Sequence, residues 1–99
     1  MYLVMQQTVR DYDDWKPAFD AGEPVRRRHG CNGHEIYRSD DDANDLTIML
    51  DFPSREAGEA FLAEPELKQR MDEAGVLSAP RTMWVTQTQC VDYRSRSAA

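Results

Sequence analysis

The chain has 99 residues, and its 12 basic and 18 acidic side chains give a net charge of −6. That balance repels phosphate backbones and acidic membrane surfaces, so nucleic acid is not an expected partner. With 40% hydrophobic and 30% charged residues the sequence should fold, but a chain this short builds one core and gains from a partner subunit. It has no apolar run of roughly 18 residues that would span a membrane, and MYLVMQQTV lacks the charged leader of an export signal, so the expected address is the cytoplasm.

Residues 2–9, YLVMQQTV, read as a first strand closed by Arg10 and Asp11. Asp11, Asp13 and Asp14 offer N-caps to a helix whose apolar face is Trp15, Ala18, Phe19 and Gly22. Pro17 is expected in its first turn, which sets the start near Asp13 or Asp14. Pro24 interrupts it, and a short helix from Val25 to His29 stops at Gly30. A hairpin follows: strand two from His34 to Ser39, the acidic turn 40–45, and strand three from Leu46 to Phe52. Ser54 caps a helix carrying Ala57, Ala60 and Phe61, and Pro65 opens another with Leu67, Met71 and Ala74 inward and Gly75 as its stop. Strand four is expected over Arg81 to Val91, leaving 1–91 as one domain and 92–99 as a polar tail.

The order β-α-β-β-α-β predicts an α+β fold of the ferredoxin-like kind, a four-stranded antiparallel sheet with helices on one face. The other face should then be polar, but the sequence keeps apolar residues for it. Strand three sets Met49 against Leu46, Ile48, Leu50 and Phe52, strand two sets Tyr37 against Ile36, and strand four sets Trp84 and Thr86 against Met83 and Val85. Placing Tyr37, Met49 and Trp84 on the helix-free face predicts an exposed patch that a second copy of the chain would cover, forming a homodimer.

Other chemistries find little support. The sequence has no GxGxxG, P-loop, GxSxG or CxxC motif, and Cys31 and Cys90 are expected as free thiols. The two histidines lack metal-ligand spacing, so no metal is expected, and the turn 40–45 reads as a solvated loop. Arg26, Arg27 and Arg28 read as a solvated helix end, and His34 as exposed.

Several phrases carry a resemblance: Asp11 to Lys16 (DYDDWK), Arg27 to Gly30 (RRHG), Gly33 to Arg38 (GHEIYR), Asn44-Asp45 before a strand, Pro65 to Lys68 (PELK), and Ala74 to Val76 ahead of Pro80. Over residues 1–90 the chain resembles the dimeric α/β-barrel superfamily, which includes cofactor-independent antibiotic biosynthesis monooxygenases and small polyketide cyclases. The resemblance implies two sheets packed across a dyad, no cofactor, and a pocket between sheet and helices for an aromatic or polyketide-like ligand. It places His29, Trp84 and Tyr37 as candidate catalytic groups and Trp15, Phe19, Arg38, Met49, Phe61 and Met71 as candidate substrate contacts. Members of the monooxygenase branch carry an Asn and a Trp close together in the second helical region, and neither occurs between Ser54 and Gly75 here. A cofactor-free monooxygenase or cyclase, a non-catalytic ligand-binding or stress-related protein, and a plain dimerisation module are the readings carried forward.

Overall fold

The computed structural model describes residues 1–94; of the tail expected over 92–99, positions 95–99 lie outside the described residues. Eight elements follow in chain order: β1 (Tyr2–Thr8), α1 (Tyr12–Ala21), α2 (Glu23–Arg28), β2 (Gly33–Arg38), β3 (Asp45–Asp51), α3 (Arg55–Leu62), α4 (Pro65–Glu73) and β4 (Arg81–Val85). All strand pairs are antiparallel, in the order β2-β3-β1-β4, which is the ferredoxin-like sheet that the element order predicts.

Local chemistry sets most boundaries. The Asp11 carboxylate accepts from the Asp13 N–H and caps α1, and Ser54 Oγ accepts from Ala57 N–H to cap α3. Both satisfy amides that a helix start leaves unpaired. Gly30 and Gly75 end α2 and α4 at φ +86° and +85°, a left-handed conformation that side chains resist. Asn44 ties the acidic turn down: its Oδ1 accepts from Tyr12 N–H at 2.8 Å, and its carbonyl accepts from Val9 N–H.

Two boundaries differ from expectation. Because α1 starts at Tyr12, Pro17 lies inside the helix and not in its first turn. The missing amide leaves a carbonyl near Asp13 without its helical donor, and the exposure of both residues lets water serve it. Strand β4 ends at Val85, well short of Val91. Val85 already faces Tyr2, the first residue of β1, so the residues beyond it have no strand to pair with.

The register decides which side chains face the helices. Leu3 pairs with Leu50 and Trp84, Met5 with Ile48 and Thr82, and Gln7 with Leu46. These residues share one face, and with Trp15, Val25, Phe52 and Phe61 the apolar ones among them build the core. Trp84 therefore belongs to the helix side, opposite to the sequence expectation, and Met83 and Val85 take the open face with Tyr37 and Met49. Alternation along β4 was read correctly, but its parity was reversed, because its apolar residues occupy both faces and only the pairing with β1 tells them apart.

Gly58 on α3 is the counterpart of that Trp84 placement. A Cβ built there would lie 2.6 Å from two atoms of the Trp84 ring, so α3 approaches the indole over a bare backbone. Gly58→Val should lower stability by about 1–3 kcal/mol in urea unfolding, and adding Trp84→Ala should recover part of that loss. Purely additive losses in the double variant would show that the two sites do not touch.

Candidate functional site

A cleft between sheet and helices begins with β1, whose Met5 and Gln7 point up from the central strand. Around them stand Phe19 from α1, Arg26 from α2, Phe61 from α3, and Leu67 and Met71 from α4. Two small inner hollows of about 50 Å³ each lie among these residues. A larger cavity of about 550 Å³ adjoins them, walled by the end of α3, by α4, by the loop into β4, and by Met5 and Thr82 of the sheet. Met5, Leu67 and Met71 form walls common to the large cavity and an inner hollow.

Four expected contact residues meet here. Trp15 is buried and stacks on Phe19 at 4.8 Å between ring centroids, Phe61 packs on Phe52, and Met71 borders both inner and outer spaces. The other expected residues lie elsewhere. His29 sits at the end of α2, where Nε2 is 2.9 Å from Glu64 Oε2 and the ring meets Phe61 edge-on. Beside it Arg28 reaches Glu66 at 3.2 Å, so the two side chains bind α2 to the start of α4. Hydrogen bonds from Arg28 first and Arg70 next hold the Glu66 carboxyl below its ordinary pKa. Trp84 lies against Gly58 and under the Arg55 guanidinium.

Tyr37 and Met49 are on the opposite face of the sheet. The Tyr37 hydroxyl donates to Glu35, and that bond, followed by the carboxylate's charge, raises the phenol's pKa. Arg38 stacks on Tyr12 at 4.0 Å and donates to the Ala43 carbonyl. These residues do not meet Phe19 and Met71 in the cleft.

Two residues of the cleft were missed in the sequence. Arg26 is 6% exposed although it belongs to an arginine run that reads as solvated. Its Cζ lies 3.9 Å from the centroid of the Phe19 ring, and its Nη1 donates to the Phe19 carbonyl at 2.8 Å. Burial lowers its pKa, opposed by Cys31, Glu23 and Asp20, yet a guanidinium stays charged at neutral pH. Gln7 is also 6% exposed, and its Oε1 has no hydrogen-bond partner. A buried polar residue at a strand position that otherwise takes Leu3 and Met5 was the available signal.

His34 lies near this end, edge-on to Phe19 at 5.0 Å, and shares a hollow of about 240 Å³ with Arg26. Burial first, then the charges of Arg26 and Lys16, hold its pKa below the ordinary 6.5, against smaller pulls from Asp20 and Glu23. Its imidazole is neutral at pH 7. Among the described residues no cluster of three His, Cys, Asp or Glu side chains suits a metal ion, and no helix is long and apolar enough to cross a membrane.

Solved structures show where this fold recurs. A proposed antibiotic biosynthesis monooxygenase from Bordetella bronchiseptica superposes with a TM-score of 0.77 at 14% identity, over 89% of this chain and 96% of that one. The chain has the antibiotic biosynthesis monooxygenase fold. SnoaB of Streptomyces nogalater, described as a cofactor-independent oxygenase, matches at TM-score 0.68 and 20% identity over 88% and 93% of the two chains. Rv0793 of Mycobacterium tuberculosis matches at 0.66 and 16% over 92% and 97%. No protein-family profile and no curated protein matches the sequence.

Because folded His34 binds a proton less readily than the unfolded chain, its contribution is intact above pH 6.5 and is lost as pH falls through that value and the lower folded one. NMR titration should give a His34 midpoint below 6.5, and Arg26→Met should move it upward by removing a nearby positive charge. An unchanged midpoint in the variant would show that the two groups do not sense each other.

Proposed function

We propose that the chain is a cofactor-free oxygenase acting on an aromatic or polyketide-like phenol in the cleft between sheet and helices, and that it works as a homodimer. The observation that carries this reading is the cavity of about 550 Å³ walled by Leu62, Leu67, Met71, Val76 and Leu77, with Lys68, Asp72, Ser78 and Thr82 as its polar lining and Gln7 and Arg26 in the inner hollow that shares Met5, Leu67 and Met71 with it. That pattern suits a planar apolar ligand oriented by a few fixed polar contacts. The shared fold, which includes a cofactor-independent oxygenase, supports it.

In this reading the substrate supplies the electrons. Loss of the phenolic proton makes the ring electron-rich, and His34, neutral at pH 7 and exposed in the neighbouring hollow that Arg26 also lines, is the acceptor through an intervening water. The anion passes an electron to O2 from the ring carbon that is CH2 in the keto tautomer, and the radical pair combines there to a peroxide anion, which takes back the proton that the imidazolium holds. Loss of water from this CH–OOH breaks the remaining C–H bond and leaves a carbonyl, so that CH2 of the keto tautomer plus O2 gives C=O plus H2O. Apolar walls keep solvent from the anion and the radical pair. The catalytic role expected of His29 passes to His34 on this account, and Trp84 and Tyr37 support the layers on either side of the sheet.

The dimer rests on the open face. Tyr37 and Met83 are each 52% exposed, and Tyr2, Val4, Met49 and Val85 lie on the same side of the sheet. Tyr2, Val4, Met49, Met83 and Val85 adjoin one another there, next to Glu35, Thr47 and Tyr37; an apolar patch of that kind calls for cover, and a second copy of the sheet would supply it. Sedimentation at micromolar concentration should give a dimer, and Met83→Glu should shift it to monomer; a monomeric parent protein would remove this part of the reading.

Oxygen uptake tests the activity. With a panel of anthrones and hydroquinones, EDTA present and no flavin added, uptake should saturate with substrate. Ala79→Trp, which fills the cavity from an exposed loop position, should lower kcat/KM at least tenfold, about 1.4 kcal/mol of transition-state stabilisation. Uptake no faster than in buffer across the panel would sink the oxygenase reading.

A further inference from the structure

We infer that the inner end of the cleft is an anion-recognition subsite, in which Arg26 holds a negatively charged oxygen of an aromatic ligand and Gln7 Oε1 accepts a hydrogen bond from a neighbouring hydroxyl on the same ligand. This deepens the reading above, since it takes the same cleft as a ligand site and names the class of ligand, an aromatic anion that also carries a donor.

The first ground is a charge without a partner. Arg26 is 6% exposed, and among the described residues no carboxylate oxygen lies within salt-bridge distance of it. Buried charges are ordinarily paired, because an isolated one is costly to take out of water. Of the five N–H donors of a guanidinium, one is used within the protein, on the Phe19 carbonyl. The Phe19 ring, 3.9 Å from Cζ to its centroid, and the Phe19 carbonyl together hold the group in place. Glu23 and Asp20 act on it through space without contact.

The second ground is independent. Gln7 is on a different element, is equally buried, and leaves Oε1 with nothing to accept from. It borders the same inner hollow as Arg26. A cationic donor group and an orphan acceptor facing one small space complement a ligand edge that presents O⁻ next to O–H. The hollow, at about 50 Å³, exceeds the roughly 10–15 Å³ one water needs, and it takes a ligand's oxygen-bearing edge while the larger cavity beyond Met71 takes its ring. Either a carboxylate or an ionised phenol supplies the charge, and the chemistry of recognition is the same for both.

The test uses small probes. 4-Nitrophenol reports its own ionisation by colour, 4-nitroanisole is its neutral isostere, and 4-hydroxybenzoate is a carboxylate. Bound to the full-length protein, 4-nitrophenol should show its pKa lowered by at least one unit, the equivalent of a tenfold preference for the anion, while 4-nitroanisole binds at least tenfold more weakly than the phenolate. Arg26→Met should abolish the preference and leave the affinity for 4-nitroanisole unchanged, and Arg26→Lys should keep part of it. Gln7→Glu, which puts a negative charge into the same hollow, should also abolish it, a second route that does not remove the arginine. Circular dichroism verifies that each variant is folded.

Tighter binding of 4-hydroxybenzoate than of nitrophenolate assigns the charge to a carboxylate, and the reverse order assigns it to a phenolate; both support the subsite. Equal binding of phenolate and anisole, or an equal loss of both in Arg26→Met, overturns it. An anion preference without oxygen uptake on any phenol leaves the subsite standing and removes the oxygenase. Uptake without an anion preference does the opposite.

Discussion

The central strand β1 is hydrogen-bonded on both sides, to β3 and to β4, and the side to which Leu3, Met5 and Gln7 point governs the rest of the molecule. Pairing transmits that choice outward: Leu3 fixes Leu50 and Trp84, Met5 fixes Ile48, and Gln7 fixes Leu46 on the helix side. Because side chains alternate along a strand, a slip of one residue would turn each of these to the other face. Burial of Leu3, Leu46, Ile48 and Leu50, none more than 2% exposed, holds the register by leaving no competing arrangement that removes as much apolar surface from water.

The same alternation brings a polar side chain into the core layer at its third turn outward. After Leu3 and Met5 the strand delivers Gln7, and α2 delivers Arg26 to meet it, in a region otherwise made of Phe19, Phe61 and Met71. Apolar residues in both places would have given a drier and tighter interior. A buried cation and an unmatched amide oxygen oppose folding, so the surrounding core and the α2–α4 contacts of Arg28 and His29 must over-determine the layer that contains them. The buried Arg26 and the unpartnered Gln7 Oε1 are the ground on which the proposed ligand site rests.

The two faces of the sheet thus have separate tasks. One is closed by helices and holds the cleft. The other exposes Tyr37 and Met83 beside the half-buried Met49 and Val85, the surface on which the proposed dimer rests. Val4 and Leu3 are adjacent in sequence yet belong to the two faces, so the open face and the cleft share the same short stretch of backbone.

Much of the architecture was legible because it rests on local chemistry. Caps at Asp11 and Ser54, stops at Gly30 and Gly75, and helical spacing of Trp15, Phe19, Leu67 and Met71 each depend on a few neighbouring residues, and their order specified the ferredoxin-like sheet. Short segments such as Asp11 to Lys16 and Gly33 to Arg38 pointed to the right fold, and Trp15, Phe19, Phe61 and Met71, all expected as contacts, line the cleft. What the sequence could not decide was anything set by a partner distant along the chain. The face of Trp84 followed from its pairing with Leu3, the end of β4 from where β1 begins, and the burial of Arg26 from the approach of Phe19 and α4. An arginine in a basic run and a glutamine in a strand look like surface residues until tertiary packing encloses them, and that enclosure left Gln7 Oε1 without a hydrogen-bond partner among the described residues.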